Sequence, residues 1–272
     1  MSDTQKSTPV RIRTLHLQQL KEQGRRFAML TAYDAVTASI FDQAGVEVLL
    51  VGDSAANVMM GQDSTLPITT DELLVFARSV TRGTQRALVV ADLPFGTYEA
   101  SPQQAVQTAV RFMKEAGVHA VKAEGDAGLV GHIRAMVSAG IPVIGHVGFT
   151  PQSEHALGGY RVQGRGAAAE KVLTDARAME EAGAFAVLAE MIPADVMTQL
   201  DAALKVPTIG IGAGAAATGQ VLVWQDMLGL GEGRTPRFVK RYADLRQVMT
   251  EAVSSYRQEV LDGAFPGEEH SF

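Results

Sequence analysis

One unit recurs along this chain and constrains its fold more than any other feature. A short β-branched or aliphatic run ends in a polar or glycine-rich turn, and an alanine-rich, helix-forming segment follows. Candidate strands of this kind fall at residues 27–31, 46–51, 88–91, 120–123, 142–144, 186–189, 207–211 and 221–223. The segments between them carry helix signals. Thr69 with Glu72, and Ser101 with Gln104, have capping-box spacing, and Pro102 suits a first helical position. Gly117, Gly140 and Gly183 each stand where a helix should stop before the next strand. About eight such units, evenly spaced over 272 residues, favour a closed α/β barrel, a (β/α)8 TIM barrel, over an open doubly wound sheet. The seventh unit is short, because residues 212–219 leave little room for a helix. Residues 1–10 are polar and read as a disordered tail, and residues 11–272 as a single barrel catalytic domain. Within it, an opening helix is expected over 14–23 and a final helix over 242–261.

The barrel reading turns scattered charges into a constellation. Asp34, Asp53 and Asp92 follow the first three strands; Glu124, His146 and Glu190 end the fourth, fifth and sixth. Barrel enzymes build their sites at the C-terminal ends of the strands, where these residues converge. Lys122 and Glu124 are spaced i, i+2, so both leave the same face of a buried strand. An acid after a strand is often only a helix cap, and Asp34, with a helical segment at 35–42 behind it, reads that way. Asp92 precedes Leu93-Pro94-Phe95, and Glu190 precedes Met191-Ile192-Pro193, so neither directly caps a helix. His146 reads as a satisfied core histidine, and the other histidines lack ligand spacing. Gly210-Ile211-Gly212-Ala213-Gly214 could cradle a phosphate or be an ordinary turn. Two connections are long, at 55–67 and 148–166, and both lie on the side of the mouth.

Composition narrows the chemistry. A net charge of −6 without a basic patch argues against nucleic acid or an anionic membrane as main partner. The absence of cysteine removes thiolate nucleophiles and cysteine-type zinc sites. The start lacks the apolar core of a signal peptide, and no apolar run has membrane-spanning length, so a cytoplasmic protein is expected. Asp53, Asp92 and Glu124 beside one lysine leave two excess negative charges, which one Mg²⁺ would neutralise with oxygen ligands.

An ordered set of motifs then carries a resemblance. Val51-Gly52-Asp53-Ser54, Asp63-Ser64-Thr65-Leu66-Pro67, Ala91-Asp92-Leu93-Pro94-Phe95 and Val121-Lys122-Ala123-Glu124-Gly125 form its first half. Gly145-His146-Val147-Gly148-Phe149-Thr150-Pro151-Gln152-Ser153, Gly158-Gly159-Tyr160-Arg161-Val162-Gln163-Gly164-Arg165, Ile209-Gly210-Ile211-Gly212-Ala213-Gly214 and the tail Phe265-Pro266-Gly267-Glu268-Glu269-His270 complete it. From about residue 11 to the end, the chain resembles the ketopantoate hydroxymethyltransferase family.

The resemblance implies a (β/α)8 barrel that moves a hydroxymethyl unit from 5,10-methylenetetrahydrofolate to 3-methyl-2-oxobutanoate, giving 2-dehydropantoate by way of a Mg²⁺-stabilised enolate. It puts the metal ligands on Asp53, Asp92 and Glu124, and the substrate contacts on Asp53, Ser54, Asp92 and Lys122. It puts the general base on Glu190 and implies a homodecamer. Two positions depart from the family pattern: Gln62 stands where histidine is expected, and Met191 where cysteine is common. The alternative is a Mg²⁺-dependent C–C lyase or mutase acting on a 2-oxo acid, but such lyases use a cysteine that this chain lacks. A non-catalytic 2-oxo acid binder is the remaining reading.

Overall fold

The computed structural model describes residues 10–233 and 235–272. Eight parallel strands form a closed barrel in sequence order. They are β1 (Phe27–Thr31), β2 (Val48–Val51), β3 (Leu88–Asp92), β4 (Ala120–Glu124), β5 (Val143–Gly148), β6 (Ala186–Glu190), β7 (Thr208–Ile211) and β8 (Gly219–Leu222). The ring closes where β8 pairs with β1, Gly219 beside Phe27. The tail expected at the N-terminus lies outside the described residues, apart from Val10, which is exposed.

Helices pack between the strands, and their ends follow local chemistry. Thr69 caps Thr70–Gly83, and Glu72 reaches back to the Thr69 amide, completing the capping box. Ser101 caps Pro102–Arg111 through the Gln104 amide. Asp34 accepts from the Val36 and Thr37 amides at 2.8 and 2.9 Å and so serves as a cap. The opening helix, Thr14–Glu22, sends Leu17 into the core beside Phe27 and Leu88. Residues 212–218 link β7 to β8 without a helix.

β2 starts two residues later than expected, at Val48, and two strands extend more than one residue beyond the sequence expectation. β5 runs to Gly148, past the apolar run at 142–144, and so places His146 within the strand. Its glycines masked the strand, but Gly148 has φ +91°, and a Cβ there would lie 2.4 Å from the Glu190 carbonyl oxygen. Close approach of β5 to β6 therefore requires that glycine. β8 begins at Gly219, two residues early, because Gly219-Gln220 carries no apolar signal although both residues pair with β1.

The interior of the barrel is filled by alternate residues. Leu88 and Val90 from β3, Ala120 from β4, Ile144 from β5, and Ala186 and Leu188 from β6 share one apolar cluster with Met29, Val48, Leu50, Ile209 and Val221. The two-residue period continues that inward face upward to Asp92, Lys122, Glu124, His146 and Glu190.

From Val223 to Phe272 the chain forms a second compact unit. Its long helix is Leu245–Leu261, capped by Asp244 through the Gln247 amide, so it starts three residues later than the pattern suggested. Among the described residues, no helix is long and apolar enough to cross a membrane.

Candidate active site

Strand register alone brings the charged residues together. Asp92 lies beside Lys122 across β3–β4, and Glu124 beside His146 across β4–β5. Asp53 follows β2, and its amide donates to Asp92 Oδ2 at 3.0 Å. Gly52 permits this approach, since a Cβ there would meet Ser54 Oγ at 2.7 Å and Asp92 Oδ2 at 3.5 Å. Asp53, Asp92 and Glu124 each offer an oxygen within 4.8 Å of the others.

Lys122 sits among them. Its Nζ donates to Glu124 Oε1 at 2.9 Å and lies 3.2 Å from Asp92 Oδ1 and 3.1 Å from His146 Nδ1. Asp53, Asp92, Lys122 and Glu124 are between 2% and 6% exposed, so these charges interact with little screening by water. Ser54, next to Asp53, has its hydroxyl 2.8 Å from the Tyr33 phenol.

Glu190 ends β6 on the far side of His146. Its Oε2 is 3.5 Å from His146 Nε2, which has no hydrogen-bond partner among the described residues. The histidine therefore stands between the acid cluster and Glu190, with Nδ1 also 3.1 Å from Glu124 Oε1.

Protonation follows from burial and charge. Burial pushes Asp53 well above the usual carboxylate range, and Asp92 and Glu124 push it further. Burial raises Asp92 as well, against the pull of Lys122. Burial also acts upward on Glu124, but Lys122 and His146 outweigh it and hold this carboxyl low. Burial would lower Lys122, yet Asp92 and Glu124 keep its ammonium charged. His146 is lowered by burial and by Lys122, which favours the neutral ring. Glu190 is pushed up to about 8 by burial and by Glu124.

Three carboxylates facing one lysine are a poor ground state without a cation. The donors are all oxygen and no cysteine is available, a set that suits Mg²⁺ better than zinc.

The structure adds residues that sequence reasoning passed over. His146, read from sequence as a satisfied core histidine at the end of the fifth strand, is buried and touches Lys122 and Glu124, and it also faces Glu190. Its place two residues beyond Ile144 puts it on the same inward face of β5. Gln152, in the turn Pro151–Ser153, reaches Asp53 Oδ2 and the Leu93 carbonyl oxygen, both at 2.9 Å. Its backbone amide donates to Glu124 Oε2 at 3.1 Å. Tyr98 is buried beside it, with its phenol 2.6 Å from Gln152 Oε1.

The sequence profile described as ketopantoate hydroxymethyltransferase matches residues 11–268. A 3-methyl-2-oxobutanoate hydroxymethyltransferase of Leifsonia xyli subsp. xyli is 60% identical over 97% of this chain and 96% of its own length. One from Arthrobacter sp. (strain FB24) is also 60% identical, over 100% of this chain and 90% of its own. Among solved structures, phosphonopyruvate hydrolase in complex with oxalate and Mg²⁺ matches with a TM-score of 0.62 at 15% identity, covering 94% of this chain and 92% of its own. A 2,3-dimethylmalate lyase matches at 0.59 and 17%, over 95% and 91%. At such identities the structural likeness speaks for the barrel alone. The profile match and the full-length relatives go further: this chain belongs to the ketopantoate hydroxymethyltransferase family.

Proposed function

We infer that the chain is an enzyme of pantothenate biosynthesis that adds a hydroxymethyl group to 3-methyl-2-oxobutanoate, giving 2-dehydropantoate. Family membership and relatives of that activity along nearly the whole chain support the reaction. The observation that carries the mechanism is the oxygen cluster of Asp53, Asp92 and Glu124 closed by Lys122, with Glu190 across His146. The one-carbon donor is 5,10-methylenetetrahydrofolate. Tyr160, 63% exposed on the long loop after β5 and resting on buried Phe149 with ring centroids 4.7 Å apart, offers an aromatic surface for such a co-substrate.

Asp53, Asp92 and Glu124 would hold Mg²⁺. Bound there, the ion supplies Lewis-acid polarisation of the 2-oxo group, an effect worth several kcal/mol in such sites. Asp53, Ser54 and Asp92 line the substrate's polar end, and the Lys122 ammonium meets its negative charge. Glu190 takes the proton from C3, the carbon next to the ketone. That proton is weakly acidic, so a carboxylate made more basic by burial is the better acceptor. The electron pair left at C3 then bonds to the one-carbon unit. Overall the C3–H bond and the two C–N bonds of the methylene bridge give way to C3–CH2–OH. Water supplies the hydroxyl oxygen, and tetrahydrofolate leaves with both nitrogens protonated.

The C–C lyase or mutase reading is not favoured, because no cysteine is present and the full-length relatives are hydroxymethyltransferases. A homodecamer in the cytoplasm completes the proposal; light scattering on the purified chain tests the assembly.

The deciding experiment is exchange of the C3 proton of 3-methyl-2-oxobutanoate with D2O, followed by NMR. Glu190→Gln should still bind the substrate but lose roughly 10²–10⁴-fold in exchange rate. Exchange at the parent rate in that variant would remove Glu190 from the role.

A further inference from the structure

Gln152 is a buried neutral side chain at the centre of the candidate metal site, with no part in the chemistry described above. It comes from the turn after β5, yet it reaches the ends of three other strands. Nε2 donates to Asp53 Oδ2, after β2, and to the Leu93 carbonyl oxygen, after β3. Its backbone amide donates to Glu124 Oε2, at the end of β4.

The orientation of the amide is determined by its neighbours. Asp53 Oδ2 and Leu93 O only accept when Asp53 is ionised, so the NH2 group must face them. Oε1 then turns to Tyr98, whose hydroxyl donates across 2.6 Å and in turn accepts from the Glu124 amide at 3.1 Å. Both ends of the side chain are held.

The choice of glutamine has chemical meaning. A glutamate here would add a fourth carboxylate, and a lysine or arginine would neutralise the charge a cation needs. A glutamine supplies fixed donors and no charge. One residue thereby ties an oxygen of Asp53 and an oxygen of Glu124, each from a different strand end, to the same rigid turn.

We propose that Gln152 is a positioning residue that sets the spacing of the Asp53 and Glu124 carboxylates and so biases the site toward Mg²⁺ over larger divalent cations. The inference rests on the metal reading given above. Mg²⁺ demands near-octahedral oxygen geometry at about 2.0–2.1 Å, whereas Ca²⁺ accepts looser arrangements at about 2.3–2.6 Å. Residues that orient metal ligands without touching the metal commonly change affinity by roughly 10–100-fold when replaced.

The test is calorimetric titration of the full-length protein with MgCl2 and with CaCl2, without substrate. Gln152→Met keeps the length of the side chain and the backbone bond to Glu124 but removes the amide. It should weaken Mg²⁺ binding by roughly 10–100-fold and lower the Mg²⁺/Ca²⁺ preference. Gln152→Asn keeps an amide but shortens its reach to Asp53 and should move both quantities the same way; it decides the matter if Gln152→Met does not fold. Parent-like Mg²⁺ affinity, within about twofold, in the folded variants would overturn the inference alone, as would equal weakening toward both cations. Failure of the parent to bind Mg²⁺ would overturn the metal reading and this inference with it.

Discussion

Val90 and Asp92 leave the same face of β3, and Leu188 and Glu190 the same face of β6, yet they belong to opposite environments. The lower pair helps fill an apolar cluster shared by all eight strands; of the upper pair, Asp92 joins a buried cluster of like charges and Glu190 is a carboxyl whose pKa burial raises. One two-residue step along a strand separates a layer that stabilises the barrel from a layer that loads it. Val90, Leu188 and Asp92 are almost fully buried and Glu190 largely so, but burial favours aliphatic carbon and penalises an ion. The mouth is therefore the part of the molecule whose stability depends on what it binds.

The sharpest way to break the comparison is to remove the lone ammonium of the upper layer. Lys122→Met leaves three buried carboxylates without a countercharge and should cost about 3–5 kcal/mol in urea denaturation, much of it recovered in Mg²⁺. In the lower layer, Leu88→Ala should cost about 2–5 kcal/mol through the cavity it leaves, with Mg²⁺ affinity unchanged by calorimetry. A loss of Mg²⁺ affinity in Leu88→Ala would show that the two layers are not separable.

Titration of Glu190 sharpens the contrast further. Its carboxyl is raised in the folded protein, so the stability it contributes is complete below its unfolded pKa of about 4.5 and lost as pH rises through about 8. Metal-free parent should thus weaken over that window by roughly 2–4 kcal/mol relative to Glu190→Gln, as followed by thermal melts. The smallest effect runs the other way. Asp53→Asn relieves like-charge crowding and should stabilise the metal-free protein by about 0.5–2 kcal/mol while Mg²⁺ binding collapses. Destabilisation by that substitution would mean the carboxylates are better compensated than their geometry indicates.

Much of the upper layer was legible in the sequence because strands have a strict period. Lys122 and Glu124 announce a common face by spacing alone, and the eight recurring units convert distant strand ends into one mouth. Asp34 was separable as a cap by the helix behind it. The place of His146 at the mouth was legible, but its contacts with Lys122 and Glu124 were not, because cross-strand bonds leave no local signal. Gln152 was harder still. Its partner Asp53 lies 99 residues away, and nothing local distinguishes a buried bridging amide from an ordinary turn glutamine. Period and propensity are local properties; hydrogen bonds across strand ends are not.

The closure of the ring has a consequence for how the molecule is made. β8 meets β1 only through residues 219–222 and 27–30, the most distant strand partners in the chain. Synthesis proceeds from the N-terminus, so Asp53, Asp92 and Glu124 have all been polymerised long before β8 exists. Until then β1 presents an open edge that could pair with another chain. On contact-order grounds, barrel closure is expected to be the late, long-range step of folding, which pulse-labelled hydrogen exchange at β1 and β8 would check. The nascent chain carries these three candidate ligands through that whole interval, before the ring that frames them is closed.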